Sequence, residues 1–186
     1  MTSDSTKTHP TKTPRSITMD NGVQVAQQAA AEIEAWLRGL RQTVTVENVE
    51  DDPDYQLIDV DLLWTTKKRQ YKIEIKGDRW HKTGNFFFET HSNKERDTPG
   101  CFMYTQADLL FYYFVEPGTL YILPMPKTRK WFARRIDRFK ERSTTTPVGQ
   151  NGRYTTVGRL VPIQTVVDAV GGVKTYQIKE PSRDTK

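Results

Sequence analysis

Two stretches of the chain alternate between apolar and polar residues with a period of two, the spacing that puts alternate side chains on opposite faces of a β-strand. From Leu57 to Trp64, Ile58, Val60, Leu62 and Trp64 share one register, while Leu57, Asp59, Asp61 and Leu63 share the other. From Tyr71 to Asp78, Tyr71, Ile73 and Ile75 alternate with Lys72, Glu74, Lys76 and Asp78. The polar run from Thr65 to Gln70 between them predicts an antiparallel hairpin. Lys67-Lys68 is not the Asn-Gly or Asp-Gly of a two-residue turn, so a four-residue loop centred on this pair is expected. That loop pairs Val60 with Ile75, Leu62 with Ile73 and Trp64 with Tyr71, an apolar face; on the other face Asp61 lies opposite Glu74, and Asp59 opposite Lys76. A slip by one residue would destroy both faces at once.

Upstream, Ala26, Ala29, Ala30, Ile33, Trp36, Leu37 and Leu40 form a stripe at helical spacing, which predicts a helix from a cap at Asp20 or Asn21 to about Leu40. Glu32 and Glu34 flank the stripe. Thr43 to Val49 reads as a strand, Asp51-Asp52-Pro53-Asp54 as a turn, Phe86 to Thr90 as a strand, residues 91–100 as a polar loop, and Tyr104 to Val115 as a buried strand. Glu116-Pro117-Gly118 turns the chain into Leu120 to Met125. Ser143 to Gly152 reads as a Thr/Gly-rich linker, Arg153 to Val161 as an edge strand, and Pro162 as the start of a short helix bearing Ile163, Val166, Val167 and Val170.

Charge changes the picture in one place. The chain carries +5 overall, whereas Lys127 to Arg142 alone holds eight Lys/Arg against Asp137 and Glu141. Trp131, Phe132, Ile136 and Phe139 recur there every three to four residues, so the segment predicts an amphipathic helix with an aromatic face inward and a basic face outward. Arg129, Lys130, Arg134, Arg135 and Arg138 on that face suit phosphate contacts. The loop Asp78 to Asn85 adds Lys82 and Asn85 beside aromatic residues, a composition suited to a sugar-phosphate backbone. Residues 1–16 lack the apolar side chains needed to order them and read as a flexible tail, as do residues 179–186; residues 17–178 read as one domain. A single cysteine, Cys101, excludes an internal disulfide and fits a reducing, cytoplasmic setting, and with three histidines it argues against a Cys/His zinc site. The longest apolar run, Leu109 to Val115, is too short for a membrane span.

Paired carboxylates about 5 Å apart across a hairpin can close on one divalent cation. A charged face opposite a greasy one is also what any half-solvated antiparallel sheet shows. The wider pattern resembles the PD-(D/E)xK nuclease superfamily, whose core is a helix, an antiparallel hairpin carrying an Asp and an (Asp/Glu)-x-Lys, and further strands. The resemblance spans roughly residues 20–125. It rests on Asp61 and Glu74-Ile75-Lys76, whose spacing matches the Holliday junction resolvase branch, and continues through Lys76-Gly77-Asp78, Thr83-Gly84-Asn85, Phe88-Glu89 and Thr105-Gln106-Ala107-Asp108, which look like phage and bacterial members.

This resemblance implies an α/β fold with a restriction-endonuclease-like core, a mixed β-sheet flanked by helices, to which the basic C-terminal helix is added. It implies a DNA endonuclease dependent on Mg²⁺ or Mn²⁺, acting in a bacterial or phage-infected host cytosol. Asp61 and Glu74 would be metal ligands, the Ile75 carbonyl a third, and Lys76 would position water or stabilise developing charge. Asp59 competes with Asp61 for the ligand role. A first-helix glutamate, Glu34 or else Glu32, often joins such sites. The branch usually dimerises, so a homodimer is implied. From another class, a nuclease-like domain that binds nucleic acid without cutting it is the alternative.

Overall fold

A computed structural model describes residues 19–148 and 152–179; the two tails expected at the ends fall almost wholly outside this range. Helix α1 (Met19–Arg38) is followed by β1 (Thr43–Asn48), α2 (Pro53–Gln56), and the hairpin of β2 (Leu62–Thr66) and β3 (Gln70–Asp78). Then come β4 (Asn85–Asn93), β5 (Thr98–Pro99), α3 (Cys101–Tyr104), β6 (Leu109–Phe114), β7 (Thr119–Pro124) and α4 (Met125–Ala133). The chain ends with β8 (Lys140–Val148), β9 (Gly152–Pro162), α5 (Ile163–Ala169) and β10 (Lys174–Gln177). The fold is mixed α/β, built on a six-stranded sheet β1-β2-β3-β6-β7-β10 and a four-stranded sheet β5-β4-β9-β8.

The first sheet is itself mixed, since β3 and β6 run parallel while its other neighbours are antiparallel. Ala29, Ile33 and Leu37 of α1 bury one face of it, against Leu62, Trp64, Ile73, Phe111 and Tyr113. On the other face Leu110, Tyr112 and Phe114 of β6 pack against Phe86 and Phe88 of β4, Phe132 of α4, Val161 of β9 and Val166 of α5. Strand β6 is therefore apolar at every position because it is covered on both sides, as parallel-paired strands usually are. Among the described residues no helix is long and apolar enough to cross a membrane.

The hairpin register agrees with the alternation: Leu62 pairs with Ile73, Trp64 with Tyr71 and Thr65 with Gln70, leaving the four-residue loop Thr66 to Arg69. Its first strand, however, begins at Leu62 and not at Leu57, so the expected pairs Val60–Ile75 and Asp59–Lys76 do not form, and Val60 packs with Leu63 and Ala107 instead. Asp52 caps α2 by accepting the Asp54 N–H at 3.0 Å, and the turn that follows carries the chain to Asp59, which sits in the left-handed region at φ 56°. A proline at a helix start, capped by the preceding Asp, outweighs five residues of fortuitous alternation.

Four other expectations change. The basic helix stops at Ala133; Arg135 leaves helical conformation at φ −135°, a short 3₁₀ turn spans Ile136–Arg138, and Lys140 enters β8. Ile136 and Phe139 still reach the core with Trp131, so their spacing does report burial, but from a turn beyond the helix. The expected linker is a hairpin instead, whose strands β8 and β9 are rich in β-branched threonine. Strand β9 is internal, between β4 and β8, so it is not an edge. Finally, Cys101–Tyr104 forms the short helix α3 ahead of β6, and residues 91–100 include the end of β4 and the whole of β5.

Gly77 sits where α1 crosses β3, and a Cβ there would lie 2.9 Å from both the Ala29 Cβ and the Val25 carbonyl oxygen. Gly77→Ala is expected to destabilise the protein by about 1–3 kcal/mol, as overpacking does, even though alanine suits a strand better than glycine. Urea denaturation checks this, and an unchanged midpoint would show that α1 does not press on β3 here.

Candidate functional site

Strand β3 presents Ile73, Ile75 and Gly77 to α1, and therefore turns Glu74, Lys76 and Asp78 toward the second layer. These three charged side chains enter a covered space, and each needs an answer there. Asp78 accepts from the Tyr112 hydroxyl, which in turn accepts the Phe87 N–H at 3.0 Å and so joins the two sheets. The Lys76 ammonium lies 3.9 Å from Glu89 of β4. Glu74 is only 7% exposed, and its Oε2 has no hydrogen-bond partner.

Asp61 immediately precedes β2 and extends the hairpin pairing by one residue. Its N–H donates to the Ile73 carbonyl at 2.9 Å, and its Oδ2 accepts the Ile75 N–H at 2.6 Å. Its carboxyl lies near that of Glu74, the residue opposite it when the hairpin register is continued by one residue. Because the N–H and C=O of one strand residue point to the same edge, the Ile75 carbonyl faces the edge where Asp61 lies.

Asp59 reaches the same place by a different route. Its carbonyl accepts the Thr105 hydroxyl at 2.6 Å, and the Gln106 N–H donates to the Ile58 carbonyl at 2.8 Å, so the α2–β2 turn is tied to the segment after α3. The Tyr104 hydroxyl donates to Asp59 Oδ1 at 3.3 Å, while Oδ2 is buried without a partner. One carboxyl oxygen each from Asp59 and Glu74 and the Cys101 sulfur all lie within 4.8 Å of one another.

Burial dominates the electrostatics. It raises Asp59 to about 6 against the Tyr104 hydrogen bond, and Asp61 to about 6 against the Ile75 N–H. Glu74 is pushed well above the carboxylate range by burial and then by the charges of Asp61 and Asp59. Burial would depress Lys76, but the groups around it, Cys101 first and then Glu89, Glu74 and Asp78, hold it above its ordinary range. Burial also pushes the Cys101 thiol up, and takes Tyr104 to about 12.

The other residues singled out in the sequence lie elsewhere. Glu34 bonds Arg38 at 3.0 Å and Asn48 at 3.3 Å; Glu32 accepts from the Tyr113 hydroxyl and pairs with Lys179 at 3.0 Å. Neither contacts the carboxyl cluster. Arg129 donates to the carbonyls of Phe102 and Thr105, clamping α4 onto α3, and Arg135 lies over the Trp131 ring at 5.5 Å. Lys82, Lys130, Arg134 and Arg138 are exposed, and the Asn85 amide donates to the Thr83 carbonyl. Cys101, Tyr104 and Glu89 join the site without having been expected there. Only Glu89 had a local signal, an acid interrupting the aromatic run of β4, and it also lines an open groove of about 320 Å³ with Ser92, Asn93, Tyr154 and Thr156.

Asp59, Asp61 and Glu74 offer carboxyl oxygens that fit a divalent cation, and two of those oxygens lack any other partner. The presence of the Cys101 sulfur means that this donor set does not single out Mg²⁺.

A carboxyl with a folded pKa near 6 and an unfolded pKa near 4 binds more protons folded than unfolded between those values. Its ionisation therefore lowers stability as pH rises from about 4 to about 6, and the loss persists above that. Asn tolerates the left-handed backbone and keeps the Tyr104 contact. In chelator, Asp59→Asn is expected to match the wild type near pH 4 and to exceed it by about 1–2 kcal/mol above about pH 6.5. Urea midpoints across that range check this; a variant weaker at every pH would overturn it. Comparison of the chain with family models, curated proteins and solved structures finds no match to any of them.

Proposed function

We propose that this protein is a metal-dependent DNA endonuclease of the PD-(D/E)xK type, with Asp61, Glu74 and the Ile75 carbonyl as ligands of Mg²⁺ or Mn²⁺. The observation that carries the reading is the burial of Glu74 against Asp61, with Lys76 two residues further along the same strand face. A solvated charged face would leave Glu74 in water; here it is covered, and its Oε2 is unpartnered. Element order supports the reading as well, since helix α1, the β2–β3 hairpin and a parallel strand β6 follow one another in a restriction-endonuclease-like sequence.

A bound divalent ion would supply a nucleophilic water and relieve charge on the phosphoryl oxygens. The chain's own contribution is positional. Asp61 is fixed by the Ile75 N–H, and Glu74 by its place in β3, so their oxygens converge without loop motion. Lys76 stays cationic beside Glu89, where its ammonium is aimed to hold a water or a non-bridging phosphate oxygen. Asp59 lies on the same cluster and can serve as a further oxygen donor. Lys82, Lys130, Arg134 and Arg138 are free to contact phosphates, whereas the carbonyl contacts of Arg129 make it a structural clamp.

Purified protein is expected to cut labelled DNA in Mg²⁺ or Mn²⁺ and not in EDTA, with four-way junction, flap, duplex and single-stranded substrates compared side by side. Glu74→Ala and Lys76→Ala should each lower the rate about 10²-fold or more, while binding in EDTA survives. Salt-sensitive binding with no cutting of any substrate in either metal would overturn the enzyme reading in favour of a nuclease-like binding module.

A further inference from the structure

We propose that Cys101 is a metal ligand, and that with Asp59 and Glu74 it forms a thiolate–carboxylate site for a thiophilic divalent ion such as Zn²⁺ or Co²⁺. The site shares Glu74 with the hydrolytic centre proposed above but does not require that the chain cut DNA.

Three observations carry it. The three donor atoms already lie within 4.8 Å of one another. In a tetrahedral site with Zn–S and Zn–O bonds of roughly 2.3 and 2.1 Å, donor atoms are about 3.5 Å apart, so closure asks for a movement of roughly 1 Å. Two donors in the cluster, Glu74 Oε2 and Asp59 Oδ2, are buried without a hydrogen-bond partner, and Glu74 is only 7% exposed. Buried polar atoms are seldom left so in a folded protein, and two of them on residues that cluster with one thiol point to a shared ligand.

The third observation is that each ligand is held in place by its surroundings. Gly100, the residue before Cys101, packs so closely on β4 that a Cβ would meet the Glu89 backbone at 2.6 Å, and its N–H donates to the Thr90 carbonyl at 2.9 Å. Arg129 grips the carbonyls of Phe102 and Thr105, so the turn carrying the sulfur is pinned at both ends. Asp59 is fixed by Thr105 and Tyr104, and Glu74 by β3. Outer contacts of this kind are what orient metal ligands. The Lys76 ammonium lies beside the cluster, 3.9 Å from Glu89.

On binding, the Cys101 S–H bond breaks, its proton passes to solvent, and a sulfur–metal bond forms; nothing is oxidised or reduced. A thiolate prefers Zn²⁺ or Co²⁺ to Mg²⁺, which leaves a purely oxygen-ligated Mg²⁺ to Asp61 and Glu74. An ion on sulfur would then compete for Glu74 with the ion of the proposed hydrolytic centre.

The test is titration of chelator-treated full-length protein with Co²⁺. One equivalent is expected to produce a sulfur-to-cobalt charge-transfer band in the near ultraviolet. Cys101 is the sole cysteine, so the band can come from no other thiolate. Cys101→Ser should abolish the band and weaken Co²⁺ affinity on the order of tenfold or more, while Mn²⁺ affinity by calorimetry stays unchanged. In the wild type, Zn²⁺ should also slow alkylation of Cys101 by a maleimide, a readout independent of whether the variant folds. Absence of the band in folded wild type at millimolar Co²⁺, or alkylation unaffected by Zn²⁺, would overturn the proposal. Neither result depends on DNA cleavage, so the failure of the nuclease reading and the failure of this site are distinguishable.

Discussion

The middle of strand β3, at Ile73 and Glu74, is buried on both faces, and the rest of the molecule is arranged around that constraint. One face fits the small residues of α1 so closely that position 77 has room only for glycine. The other carries Glu74, Lys76 and Asp78 into the space beneath the second sheet. Of the three only Glu74 is fully buried, with Lys76 and Asp78 partly covered, and charge withdrawn from water is expensive unless it is paired or neutralised. Two are answered by protein groups, Asp78 by Tyr112 and Lys76 by Glu89, and both answers come from or reach the second layer. The Tyr112 hydroxyl also receives an N–H from β4, so the bond that satisfies Asp78 is one that seats the second sheet on the first. Glu74 has no such partner, and the charges nearest it include two other acids, Asp61 and Asp59.

The hairpin register was legible because both faces depended on it, and the pairing Leu62–Ile73 and Trp64–Tyr71 follows from the alternation alone. The first helix and its Ala29, Ile33 and Leu37 stripe were legible for the same reason. The second sheet was much less so. Strand β8 is exposed along its first six residues and has no apolar face to leave a period of two, so a Thr-rich strand looked like a linker. Strand β10 has four exposed residues and is held by β7, a non-local partner that no local pattern announces. Within the site, Asp61, Glu74 and Lys76 could be read because they share one hairpin. Cys101 and Tyr104 could not, because they arrive from α3 across a distance of about thirty residues in sequence.

The basic segment shows how one pattern can serve two structures. Trp131, Phe132, Ile136 and Phe139 are buried or half-buried, as a helical stripe requires, yet the helix carries only the first two. Its charges divide in the same way. Arg129 is drawn inward to backbone carbonyls near the carboxyl cluster, and Arg135 folds over Trp131, so composition alone overstates the positive surface available to a polyanion. The exposed Lys130, Arg134 and Arg138 remain. Arg129 thereby acquires a different importance, because it holds the α3 turn that brings Cys101 toward Glu74 and Asp59.

A charged hairpin face can be decoration only if water reaches it. Here the Glu74 carboxyl lies against two other acids in a space shielded by β4 and α3, and all three carboxyls are pushed upward by burial before any neighbour is counted. Such a cluster opposes its own ionisation and so weakens the fold at neutral pH, which selection for stability alone would remove by a change as small as Glu to Gln. A cation reverses the sign of the same arrangement: the charges that repel one another become its ligands, and the buried oxygens left unpartnered gain a bond. The cost of the cluster by itself and its affinity for a cation therefore have the same origin, the partial or full burial of Asp59 and Glu74 beside one thiol, with the charge of Asp61 close to Glu74.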